Sequence, residues 1–191
     1  MLRDQPSTVL PEPAGFALPQ IWLFTDKRND RDLEQTILRL PHGSGIIFRH
    51  YHLDEKSRRQ RFESVRKTAR RRGHMVFLAG SPVLARRWRA DGVHGRLSRR
   101  ALNRGLLHSA PVHNAQEIHQ ANRAGAAIYF LSPVFATRSH PGQRPLNPAQ
   151  VRRLAALCNG VVIFLGGMDQ RRYRARKNSS SLGWAAIDAL S

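Results

Sequence analysis

Cysteine is almost missing from this sequence. Cys158 is the one example in 191 residues, so an intrachain disulfide is excluded. It falls in an apolar helical pattern, which suits a buried, inert thiol better than a nucleophile. Long apolar runs are missing too. No window approaches the roughly 18 residues of a membrane span, and the first residues, with Arg3 and Asp4, lack the apolar segment of a secretion signal. These absences point to a cytoplasmic protein without a membrane partner. The nine histidines show no HExxH spacing. His50 and His52 alternate after an apolar run but have no third ligand in the sequence, so no metal site is expected.

Acidic residues are scarce: 13 Asp and Glu stand against 32 Lys and Arg, a net charge of +19. That balance favours polyanions, acidic surfaces or phosphorylated small molecules. Aromatics make up only 7% of the chain and scarcely interleave the basic runs, which argues against nucleic acid read by base stacking. The Arg-rich run from Glu55 to Arg72 reads as a solvated helix face, with an RNA or acidic-partner surface as the other reading. A small phosphorylated substrate is the expected partner. Nucleic acid is left open by charge alone, and a homo-oligomer stays open as well.

What is present is a β/α alternation. An apolar share of 41% marks a globular chain, and its length suits one domain. Residues 1–18 are Pro-rich and aperiodic, which predicts an arm; 19–191 read as the domain. Strands are predicted at Ile21–Thr25, Gly45–Phe48, Met75–Leu78, Gly92–His94, near Leu106–Pro111, Ala126–Leu131, Val161–Leu165 and Gly183–Ile187. Helices are predicted at Asp32–Leu40, Glu55–Arg72, Pro82–Arg89, Ala115–Arg123, Asn147 or Pro148 to Cys158, and Asp169–Arg176. Short apolar strands alternating with amphipathic helices mean a parallel sheet covered on both faces. Eight such units suggest an α/β fold closing as a small TIM (β/α)8 barrel without a full final helix; the pattern alone also fits an open doubly wound sheet.

In a barrel the chemistry gathers where strands end, and here those ends are rich in cations and histidines, which suit an anion. Arg49 terminates Ile46-Ile47-Phe48. Gly166 and Gly167 follow an apolar run and precede a helix start, where bare backbone amides can meet a phosphate. The polar stretch Ser132–Gly142 offers Thr137, Arg138, Ser139 and His140 to phosphate oxygens. Tyr51, His94 and Arg96 complete the expected rim. His113 and His140 are the acid/base candidates, with Arg49 as the anion-gripping catalytic candidate.

These segments, in this order, resemble the thiamine phosphate synthase family with its thiazole tautomerases (TenI-like proteins), over roughly residues 19–190. Thr25-Asp26 matches the family's Thr-Asp pair, Asp91-Gly92-Val93-His94 its Asp-Gly-Val-His, Ser132–His140 its Gly-Pro-Val-Phe-x-Thr-x-Thr-Lys loop and Gly166-Gly167 its phosphate-binding pair. The resemblance implies a transferase of thiamine biosynthesis that joins a thiazole phosphate to a pyrimidine diphosphate with Mg²⁺. Departures fall on the diphosphate–metal half. Ile47-Phe48-Arg49-His50-Tyr51 keeps only the Arg of Gln-x-Arg-x-Lys. Leu78-Ala79 replaces Asn-Asp, and a second metal-binding Asp falls near Arg99. Ile187-Asp188-Ala189-Leu190 replaces Val-Ser-Ala-Ile, with Arg144 or Arg138 expected to neutralise Asp188. The tautomerases place a His where this chain has Pro133. No cofactor is therefore expected, the Mg²⁺ carboxylates being absent. Two alternatives stand beside the synthase: a metal-independent tautomerase-type isomerase using His113 or His140, and a non-catalytic polyanion (RNA) binder on a degenerate enzyme fold.

Overall fold

Eight parallel strands close into a ring, each paired with the next and β8 with β1, in the computed structural model, which describes residues 18–97, 105–137, 142, 144–176 and 181–190. The strands are β1 (Ile21–Phe24), β2 (Gly45–Phe48), β3 (Met75–Ala79), β4 (Gly92–His94), β5 (Leu107–Val112), β6 (Ile128–Leu131), β7 (Val161–Phe164) and β8 (Gly183–Ala186). The helices are α1 (Leu33–Arg39), α2 (Glu55–Arg70), α3 (Pro82–Arg87), α4 (Ala115–Arg123), α5 (Pro148–Ala155) and α6 (Gln170–Ala175). Closure through Ile21↔Trp184 and Leu23↔Ala186 overturns the open-sheet alternative. Among the described residues no helix is long and apolar enough to cross a membrane. Arg138, Ser139, His140 and Arg99 lie outside the described residues, as does the expected arm up to residue 17.

Strands this short enclose little space, and large side chains fill it. Trp22 meets Phe77 and Phe130 edge to face, with ring centroids 5.2 and 5.4 Å apart. Phe24 packs on Phe130 at 4.9 Å one layer higher. The adjacent strands make room by omission: a side chain at Gly45 would collide with the Trp22 ring, and one at Gly92 with Phe77. Outside the ring, Leu23, Ile46, Phe48, Leu78 and Val93 pack against α1–α3, while Tyr129, Leu131, Phe164 and Trp184 pack under α4–α6. This two-sided burial explains why the strands read as continuous apolar runs.

Helix starts are written in the sequence. Asp54, Ser81, Asn114, Asn147 and Asp169 each accept a backbone N–H of the first turn, at α2, α3, α4, α5 and α6, the usual remedy for unpaired amides there. Ends differ from expectation by a few residues. The helix expected to reach Arg72 stops at Arg70, because Arg71, Arg72 and Gly73 tighten onto carbonyls three residues back and Gly73 turns with φ +64°. The helix expected to reach Cys158 stops at Ala155, where Leu157 and Cys158 make the same tighter bonds. A 3-10 turn at Lys27–Asn29, unforeseen from sequence, is closed by a reciprocal Asp26/Asn29 cap.

Candidate functional site

A cavity of roughly 700 Å³ opens at the C-terminal ends of the strands. Phe24, His94 and Pro111 line its depth; Arg49, Tyr51, His113, Thr137, Gly166, Gly167 and Asp188 line its walls. Seven residues singled out from sequence thus converge: Arg49, Tyr51, His94, His113, Thr137, Gly166 and Gly167. Arg96 does not line the cavity. Its side chain is 65% exposed and is spent on Glu117, 2.6 Å away.

On the β6–β7 side, the segment after β6 lies against the turn after β7. Val134 donates to the Leu165 carbonyl and Phe135 to that of Gly166, both at 3.0 Å. Gly166 and Gly167 have φ +92° and +58°, angles that disfavour any side chain. A Cβ on Gly166 would press on Pro133 and one on Gly167 would strike the Ala136 carbonyl. The glycines therefore first admit the neighbouring loop, which brings Thr137 beside the turn. Their own N–H groups donate to no described residue, and both residues face the cavity. Arg172, also on the wall, donates to the Gly167 carbonyl and lies 5.2 Å from the Phe135 ring. The helix terminus itself is not open to a ligand: Asp169 already caps α6, so the expected dipole contribution is taken up by a carboxylate of the chain.

On the β1–β2 side, Arg49 is held on three fronts. Its Nε donates to the Thr25 carbonyl and its Nη2 to Asp26, each at 2.8 Å; its guanidinium sits 5.5 Å from the Phe24 ring. Its backbone N–H donates to the Thr25 hydroxyl, which also bonds His50 Nδ1 at 2.9 Å. His50 Nε2 in turn meets Asp30 at 2.8 Å, and Asp30 pairs with Arg61. Both ring nitrogens of His50 are thus engaged, so it orders the strand end and is unavailable to a metal. This relay leaves no local signature, because Asp30 and Arg61 are remote from His50 in the chain. Burial lowers the Arg49 pKa, opposed by Asp26.

His94 lies beneath Arg49. Burial, then the Arg49 charge, pushes its pKa down to about 3, so the ring is neutral at any ordinary pH. It bonds the Ser109 hydroxyl at 3.0 Å and packs edge to face on Phe24. His113 differs. Its Nδ1 and its backbone N–H both meet Glu117 Oε2, at 2.8 and 2.9 Å, leaving Nε2 without a described partner. Glu117 was missed from sequence; the signal was its i,i+4 spacing from His113. Asp188 is paired at 3.4 Å with Arg28, where Arg138 or Arg144 had been expected; the 3-10 turn swings Arg28 under the end of β8. Cys158 donates to the Leu154 carbonyl, and burial pushes its thiol up to about 12, the inert state expected.

A sequence profile of the thiamine monophosphate synthase family (TMP-TENI) matches residues 21–190. The chain is 23% identical over 181 residues to an Aquifex aeolicus (strain VF5) protein provisionally named thiamine-phosphate synthase 2, covering 89% of this chain and 96% of that one. It superposes on thiamine phosphate pyrophosphorylase from Pyrococcus furiosus with a TM-score of 0.73 and 18% identity, over 89% of this chain and 86% of the other. For the pyrophosphorylase from Bacteroides thetaiotaomicron the TM-score is 0.59 and the identity 15%, over 89% and 83%. At such identities the two structures speak for the fold alone.

Proposed function

The chain belongs to the thiamine monophosphate synthase family, and from that premise we propose that its cavity binds a thiazole phosphate and joins it to a pyrimidine methyl diphosphate in thiamine biosynthesis. The observation that carries the reading is the pair of amides at Gly166 and Gly167, which donate to no described residue, set beside Thr137 at the barrel mouth. Oriented backbone N–H groups with a hydroxyl suit a phosphate monoester. Arg172 stands on the same wall, its charge offset in part by Asp169 at 3.5 Å.

The reaction breaks the C–O bond between the pyrimidine methyl carbon and the diphosphate, whose oxygen keeps both electrons. The thiazole nitrogen then closes a C–N bond on that carbon with its lone pair. The protein's part is to hold the two reactants in line and to stabilise the leaving charge. The Phe24 face and the neutral His94 ring give the developing cation an uncharged floor.

The residues present do not fit a magnesium ion at the end of β3. Ala79 stands there, fully buried, and among the described residues no three His, Cys, Asp or Glu side chains gather as a metal site. The two cavity carboxylates, Asp169 and Asp188, sit after β7 and β8, one a helix cap and the other paired with Arg28. We therefore assign the neutralisation of the leaving group to arginine, beginning with Arg49.

Calorimetric titration with thiazole phosphate tests the reading. Saturable binding that weakens about tenfold or more in Thr137→Val supports it; a wild-type protein that ignores thiazole phosphate overturns it. A second reading, proton transfer on the bound thiazole as in the tautomerases, has the His113–Glu117 pair in its favour. It requires His113→Gln to slow tautomer conversion by about a hundredfold, and undiminished conversion removes it.

A further inference from the structure

We infer that Arg58 provides, together with Arg49, a metal-independent subsite for a diphosphate group at the ends of β2 and β3. This rests on the proposed reading of the cavity and says where its second anion is held. Arg58 springs from the first turn of α2 but turns back over the barrel mouth. Its Nε donates to the Arg49 carbonyl at 2.9 Å and its Nη2 to the Ala79 carbonyl at 2.6 Å. The guanidinium is thereby pinned across the ends of two neighbouring strands.

No described carboxylate pairs with it. The neighbouring acids are otherwise engaged: Asp54 caps α2, Glu55 lies 3.6 Å from Arg87, Asp26 pairs with Arg49 and Arg28, Asp30 and Glu34 with Arg61, and Glu63 with Arg59. Arg58 has instead three aromatic rings around it, Tyr51 at 5.2 Å, Trp88 at 5.7 Å and Phe48 at 5.9 Å. Ring faces recover part of the cost of withdrawing a cation from water, but they leave its charge uncancelled. A half-buried guanidinium without a counter-charge is a standing demand for an anion.

Arg58 does not itself line the cavity but adjoins two residues that do. Tyr51, the ring nearest Arg58, lines that cavity, as does Arg49. In both arginines Nε and Nη2 are engaged, while Nη1 has no partner among the described residues. These two Nη1 groups, one after β2 and one folded back from α2, can each take one phosphoryl group. Asp26 offsets Arg49, so Arg58 supplies the net charge. The Ala79 carbonyl at the end of β3 accepts from Nη2. The cation at this corner is part of the chain.

The test is calorimetric titration of the full chain with inorganic diphosphate, first in EDTA and then in excess Mg²⁺, with a pyrimidine methyl diphosphate as the parallel arm. The expected result is binding in EDTA that Mg²⁺ strengthens by no more than about twofold. Arg58→Gln should weaken both diphosphates by more than about tenfold and leave thiazole phosphate within about twofold. Arg58→Lys, which keeps the charge but loses the two-pronged hold, should fall between. Diphosphate binding that appears only with Mg²⁺ overturns the inference using wild-type protein alone. So does a folded Arg58→Gln of unchanged affinity. Loss of thiazole phosphate binding with diphosphate binding intact would instead remove the proposed function and leave this subsite standing. Inorganic diphosphate binding without the pyrimidine ester would restrict the site to the free anion.

Discussion

His94 shows what burial does to a single titratable group. With its pKa near 3 in the fold and near 6.5 when exposed, the unfolded chain binds more protons between those values. Its contribution is therefore whole above pH 6.5 and drains away as pH falls toward 3. Burial depresses His50, His74 and His108 in the same direction. Glu34, lowered to about 2 by its hydrogen bond from Arg61, adds its loss only below about pH 4.5, so pH 4.5–6 reports the histidines. Urea unfolding across that window should show stability falling with acidification. His94→Asn should reduce the slope by about 1.4 kcal/mol per pH unit; an unchanged slope would mean the ring is not desolvated as described. At this scale the sequence was half legible. Arg49, His113 and Thr137 stand at strand ends, where charge after an apolar run is conspicuous. Glu117 and Arg58 were hidden because each lies on a helix among polar neighbours, and only tertiary packing tells a solvated arginine from one folded back over a barrel.

Turns and helix starts carry predictions of their own. Gly167→Ala puts a methyl against the Ala136 carbonyl at φ +58°, so the loop after β6 must move. Thermal unfolding should show a loss of about 1–3 kcal/mol, with thiazole phosphate affinity falling about tenfold or more as Thr137 is displaced. Asn147 caps α5 reciprocally with Gln150; Asn147→Ala should cost about 1 kcal/mol in the same measurement. Elements were the most legible scale. Asn114 and Asn147 announced their helices, and even the three-residue β4 was visible as Gly92-Val93-His94. Strand ends were less so: Ala126 and Ala127 look like strand, but Ala126 closes the preceding helix turn through the Ala121 carbonyl. Parallel closure left no local trace, since β1 meets β8 through residues some 160 positions apart.

Across the whole molecule, +19 charges repel one another more than the described ion pairs relieve. Raising NaCl from about 0.05 to 0.5 M shortens the screening distance severalfold, so the melting temperature should rise, while the association rate of inorganic diphosphate falls. A melting temperature indifferent to salt would show the surface charge to be locally compensated. The aromatic interior gives a way to watch such changes. Trp22 is wholly enclosed, on the strand that pairs with both β2 and β8. Its indole is consequently a built-in fluorophore at the seam where the ring shuts, and a red shift of its emission would time the parting of that seam.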